Sequence, residues 1–282
     1  MLTKACFGVL RQDKELLLFP VLCGVVALLC TVGFIFPAIA IVDSTSSTDS
    51  SDLVLTLLGL GYSFVIYSVV LFFNVAVLSC ARIRFQGGDP TLADGFRAGV
   101  ENLGVIFSWA AVGGVVSFVM RQLEESLGII GMLIARVLGG AFAVVSFFAI
   151  PVMIFEKVGP VQAFKRSGEI IKKTWGESLG AYLGFSIITT LVAWTLFFSL
   201  VGSVALSISM DTAMPLKVGG GLSLVLMLAA SVLSSCLSQI FQAALYVYAT
   251  TGEVPAGINS DLVSNAFKVK KGRKWVLEPT TV

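Results

Sequence analysis

Of the 282 residues, 56% are hydrophobic and 13% charged. A soluble domain carries about 25% charged side chains to cover its surface, so this composition excludes a water-soluble fold and leaves a bilayer as the solvent. There is no histidine and the formal net charge is +2. The absence of histidine removes the commonest metal ligand and neutral-pH proton shuttle, and the near-neutral balance gives no reason to expect nucleic-acid binding. The five cysteines, Cys6, Cys23, Cys30, Cys80 and Cys236, are scattered without a CxxC spacing and read as small hydrophobes.

Six apolar stretches follow one another along the chain, at 16–42, 53–80, 99–120, 129–155, 178–209 and 217–250. Each is long enough to span a hydrocarbon core of ~30 Å, which takes ~20 helical residues. The fold class they predict is all-α: a polytopic bundle of six transmembrane helices in three hairpins. The whole chain, 1–282, reads as a single integral membrane domain with a basic cytoplasmic tail at 251–282.

The first stretch follows Lys4, Arg11 and Lys14, and Ala38-Ile39-Ala40 resembles a signal-peptide cleavage site. Its apolar core from Leu16 to Phe36 exceeds the roughly 7–15 residues of a secretory h-region, so a retained helix is expected. The run from Asp43 to Asp52 then has no apolar residue with which to fold and reads as a flexible outer connector. The second stretch holds Asn74, and the fourth holds Arg136, a charge about two turns inside a predicted span. Intramembrane charge is costly and a functional-site hypothesis by default; the competing reading is that Arg136 snorkels to the outer interface, toward Glu124 or Glu125. Small residues repeat at Ala135, Gly139 and Ala143, and again at Gly176, Gly180 and Gly184, a pattern that lets helix backbones pack closely. The sixth stretch has a bend signal at Gly219-Gly220-Gly221. It also has a polar stripe of Ser231, Ser234, Ser238 and Gln242 at helical spacing, with Ser235 and Gln239 beside it. Such a stripe either hydrogen-bonds neighbouring helices or lines a polar cavity.

Sixteen of the 19 Lys and Arg residues fall on alternate connections: three before the first span, three after the second, five after the fourth and five after the sixth. Basic residues resist translocation, so both termini are expected on the cytoplasmic side. Those inner connections share a Gly/Pro turn followed by an amphipathic segment with Phe beside a base, at Phe96-Arg97, Phe164-Lys165 and Phe267-Lys268. They read as interfacial elbow helices in the headgroup layer, and the chain parses as three elbow-hairpin repeats. LRQDKELLLFP at 10–20, AFKRS at 163–167 and these serial elbow-hairpins resemble an uncharacterised family of prokaryotic six-span membrane proteins, a domain of unknown function. Its layout is similar to the membrane domains attached to some glycerophosphodiester phosphodiesterases. The resemblance implies the fold and a prokaryotic plasma membrane, and it implies no activity or site residues.

No GxxxxGK[ST], GxGxxG after a strand, GxSxG or HExxH occurs, and no cofactor is expected. The leading functional reading is a non-enzymatic protein that interacts with membrane lipids or a membrane protein partner, or with further copies of itself. Anionic headgroups are drawn to the basic elbows. A transporter or permease component would use Arg136, Asn74 and the stripe with Gln239 and Gln242 as an intramembrane polar site. A lipid-modifying enzyme would need clustered carboxylates, for which Asp89, Asp94, Glu101 and Glu156 are the inner candidates.

Overall fold

A long apolar run can pair all its backbone N–H and C=O groups internally only as a helix or a closed barrel, and this chain uses helices. The computed structural model describes residues 10, 13–44, 49–174, 177–210, 212 and 214–251, and among them there is no strand. The chain divides into two compact units: Leu18–Lys173, and Met1–Leu17 together with Thr174–Val282.

The first unit contains α1 (Leu18–Ser44), α2 (Asp49–Phe85), α3 (Leu92–Glu101), α4 (Leu103–Val145), α5 (Ala149–Phe155) and α6 (Pro160–Thr174). Helices α1 and α2 run antiparallel. The Thr31 hydroxyl lies 3.1 Å from the Tyr62 hydroxyl, and Phe34 meets the Tyr62 ring edge-on at 5.4 Å. Helix α2 then packs along the first half of α4, where Phe64 stacks on Phe107. At Gly113 a Cβ would stand 2.8 Å from the Tyr67 ring, so the missing side chain is what admits the tyrosine.

Helix α4 is not straight. Gly128 takes φ 57° and ψ −130°, a left-handed conformation that glycine adopts without a Cβ clash. The chain reverses there. Trp109 and Phe142 would be ~50 Å apart along a continuous helix, yet their rings stack with centroids 6.2 Å apart. Gly131 lies against the Leu123 carbonyl beside the reversal. The expected loop at 121–128 is therefore helical up to the glycine. No Gly or Pro interrupts it earlier, and Arg121 supports the last turns by pairing with Glu125 at 2.8 Å. The third apolar stretch also starts later than expected, because residues 99–101 belong to α3.

A second break separates α4 from α5. Pro151 has no N–H to offer the carbonyl four residues back, and its ring crowds that carbonyl. The helix stops at Val145 and restarts at Ala149. The break strands the backbone N–H of buried Phe148. It donates instead to Ser167 Oγ of α6 at 3.0 Å, and Ser167 is itself fully buried.

In the second unit, α7 (Glu177–Ser209) and α8 (Gly221–Thr251) form a hairpin through a π-helical turn at Leu216–Gly220. The predicted bend at Gly219–Gly221 thus falls on an irregular turn. Glycine is needed there because Ser203 packs against it: a Cβ at Gly220 would lie 3.1 Å from Ser203 Oγ. Ser199 and Ser223 link the two helices through hydroxyls 2.9 Å apart. A 3-10 turn at Lys14–Leu17 accepts a weak bond from Cys236 Sγ, at 3.6 Å to the Leu16 carbonyl. The described cysteines, Cys23, Cys30, Cys80 and Cys236, are not joined in disulfides.

Among the described residues, five helical stretches are long and apolar enough to cross a membrane: Glu15–Ile41, Leu53–Phe85, Leu103–Phe155, Thr189–Ser209 and Leu216–Thr251. Their large apolar side chains point outward in many places, as at Leu28, Phe36, Ile129 and Ile208. Replacing Ser167 by alanine is expected to lower stability by about 1–3 kcal/mol, the cost of a buried N–H left without an acceptor. Denaturant unfolding of the detergent-solubilised protein reads this directly, and an unchanged midpoint would mean that Phe148 finds another partner.

Candidate functional site

The elbow helices carry the chemistry of the first unit. Helix α3 opens with a capping box. The Thr91 hydroxyl accepts from the Asp94 N–H, and the Asp94 carboxylate accepts from the Thr91 N–H at 2.9 Å and from its hydroxyl at 2.7 Å. These bonds hold the Asp94 carboxyl below its ordinary range. Helix α3 then seats Phe96 among Phe19, Phe72 and Phe73, with centroids 5.8, 6.1 and 6.1 Å away. Gly95 and Gly99 bracket this ring; a Cβ on either would collide with Phe19 or Phe72.

Helix α6 repeats the arrangement. Phe164 stacks on Phe142 at 5.5 Å, and Phe142 stacks on Trp109. Ala163 and Ser167, the counterparts of Gly95 and Gly99, are both fully buried. The shared pattern is small-Phe-base-x-small: Gly95-Phe96-Arg97-Ala98-Gly99 and Ala163-Phe164-Lys165-Arg166-Ser167. The expected third elbow at Phe267-Lys268 lies outside the described residues, as does the tail from 252 to 282.

The ends of α2 and α5, which lead into the two elbows, meet at one end of this unit. The Arg82 guanidinium lies 4.4 Å over the Phe155 ring, a cation–π contact. Arg84 pairs with Asp89 at 2.5 Å and Arg97 with Glu101 at 2.8 Å. Arg166 reaches both Glu156 and Glu169 at 3.4 Å. Between α5 and α6, Lys157 takes φ 53°, a left-handed backbone that costs a side-chain-bearing residue roughly 1–2 kcal/mol. Of the inner carboxylates proposed for lipid chemistry, Asp89, Glu101 and Glu156 are held in ion pairs and Asp94 is held in the helix cap.

Of the other candidates, Arg136 and Asn74 belong to the first unit and the α8 stripe to the second. Arg136 is exposed on the second limb of α4 and makes no ion pair among the described residues. Neither Glu124 nor Glu125 pairs with it among the described residues, and Glu125 pairs with Arg121. Asn74 is half-buried in α2 and has no side-chain hydrogen bond among the described residues. On α8, Ser231 is exposed and bonds its own helix at the Leu228 carbonyl, while Ser234, Ser238, Gln239 and Gln242 are half-buried. The most buried side of that helix carries Cys236, Ile240 and Ala244, nearly opposite the polar stripe at about 100° per residue. Gly176 lies outside the described residues, and of Gly180 and Gly184 only the helical backbone is described. In the other small-residue ridge Ala135 is buried, while a Cβ at Gly139 would meet nothing within 4 Å.

A family model matches residues 50–256, which takes in α2 to α8 and both described elbows. The chain belongs to this family of unknown function, DUF6159. The matched region includes AFKRS and the ion-paired elbow end, whereas LRQDKELLLFP, α1 and Phe19 lie before it. No curated protein and no solved structure matches the chain. The sequence reading missed the capping box, the Pro151 break and the buried Ser167. Thr91-x-x-Asp94 is a readable cap signal, and the small residues flanking each elbow phenylalanine were the clue to its docking.

The cap makes α3 pH-sensitive in a defined direction. With the folded carboxyl of Asp94 below its unfolded value, its contribution is present above the ordinary carboxylate range and is lost as pH falls through the lower folded value. Amide exchange over Leu92–Glu101 is expected to accelerate only on acidification below that range, and Asp94→Asn is expected to give fast exchange at every pH. A pH-independent profile in the unmodified protein would contradict the assignment.

Proposed function

We propose that this protein is a six-span integral membrane protein of the prokaryotic plasma membrane, with both termini cytoplasmic. In this reading it is non-enzymatic and interacts with lipids or with a membrane protein partner. The six spans count the two limbs of α4 separately. The reversal at Gly128 and the Trp109–Phe142 stack support that count, and the outward apolar side chains support immersion in lipid. The similarity of layout to glycerophosphodiester phosphodiesterase membrane domains is part of the same reading.

The observation that carries the functional proposal is the elbow end. Two amphipathic helices are each anchored by a phenylalanine across the same end of one unit, a placement suited to the headgroup layer. Its carboxylates are engaged in salt bridges and a helix cap, which leaves this end suited to binding rather than acid–base chemistry. The exposure of Arg136 supports a snorkelling role, with its guanidinium reaching the outer interface.

Single cysteines at Ser47, Glu124 and Lys270, in a background with the native cysteines replaced, test the topology. Labelling by a membrane-impermeant maleimide on intact cells is expected at 47 and 124 only, with 270 reacting after lysis. Reaction of 270 in intact cells, or protection of 124, would overturn the six-span arrangement. Arg136→Ala is expected to leave both folding and the lipids retained in native mass spectrometry unchanged. Loss of a bound small molecule in that variant would instead favour transport through an intramembrane polar site.

A further inference from the structure

Charge at the elbow end of the first unit is divided by residue type. Each arginine there is engaged within the protein: Arg84, Arg97 and Arg166 by carboxylates, and Arg82 by the Phe155 ring. The five carboxylates of this end are engaged as well, Asp89, Glu101, Glu156 and Glu169 in ion pairs with those arginines and Asp94 in the α3 cap. Among the described side chains, three cations are left over. Lys157, Lys165 and Lys172 are exposed and have no carboxylate partner among the described residues. Lys165 and Lys172, seven residues apart, project from one side of α6, and Lys157 stands in the turn that leads into it.

Lys157 carries a second signal. It occupies the left-handed position that closes α5, where glycine is the unstrained choice. A lysine kept at that cost, in a chain holding 28 glycines, points to a use for its ammonium group. Arginine forks suit the fixed, directional pairs inside the protein, whereas a compact ammonium on a flexible stem suits a mobile phosphate at a surface.

We infer that Lys157, Lys165 and Lys172 form a docking face for the phosphates of anionic phospholipids in the adjoining leaflet, while the arginines of the same end serve the fold. This rests on the proposed lipid-binding reading and narrows it to one elbow and one lipid class.

The test uses the full-length protein and native mass spectrometry, with phosphatidylglycerol or phosphatidylcholine titrated into detergent micelles. The unmodified chain is expected to prefer phosphatidylglycerol. Lys157→Gln/Lys165→Gln/Lys172→Gln is expected to lose that preference by on the order of tenfold or more, with an unchanged melting midpoint because all three side chains are exposed. Lys157→Gly provides a separate check, since it is expected to melt higher while binding phosphatidylglycerol more weakly. Competition by millimolar inorganic phosphate as strong as that by the lipid would overturn a membrane-lipid site in favour of a free-phosphate one. Full retention of the preference in the triple variant, or an equal loss in Arg97→Gln, overturns the lysine assignment and leaves the lipid reading standing. No preference in the unmodified chain, with a stoichiometric protein co-eluting instead, overturns both.

Discussion

A proline without an N–H sets the layout of the elbow end. Because Pro151 cannot continue the hydrogen-bond ladder of α4, the helix breaks at residues 146–148, and the stranded Phe148 N–H must find an acceptor away from water. Ser167 supplies it, which ties α6 to the break by a directional bond. Phe155 then ends α5 beneath Arg82, and Glu156 follows within reach of Arg166. An apolar contact alone would have allowed α6 to slide. A buried hydrogen bond has one register, and a missed one costs about as much as a sizeable share of a marginal fold's stability.

Around that bond the two elbows repeat one solution. A small residue on either side of a phenylalanine lets the helix approach closely enough for the ring to enter an aromatic stack. In α3 the approach is so close that Gly95 and Gly99 leave no room for a Cβ. In α6 alanine and serine suffice, and the serine hydroxyl is put to use. The difference between the two copies is therefore functional as well as steric: the second elbow repairs a broken helix, and the first abuts an unbroken one. The same elbows sort their charges, with guanidinium groups paired to carboxylates or to a ring and ammonium groups presented outward.

Much of this was legible beforehand. The apolar runs fall on the long helices, since length and hydrophobicity are local properties, although α4 joins two of them and ends at Val145. The bend at Gly219–Gly221 was legible for the same reason. Local signals misjudged the connection at 121–128, because its polar residues suggested a loop while an i, i+4 ion pair kept it helical to Gly128. Arg136 drew attention as a lone charge. Its expected carboxylate partner proved to be nearer to Arg121 on the same helix face, a competition that composition does not reveal.

By itself, then, the sequence determined a helical chain with long apolar stretches, basic connections and amphipathic elbow helices, all consequences of periodicity, length and charge along the chain. The tertiary structure alone decided where the freed N–H of Phe148 goes and which ring Arg82 meets. The physical reason is that hydrogen bonds and ion pairs act over a few ångströms. Phe148 and Ser167 lie 19 residues apart along the chain, and Arg82 and Phe155 lie 73 apart. Such distances close only when the helices between them have packed.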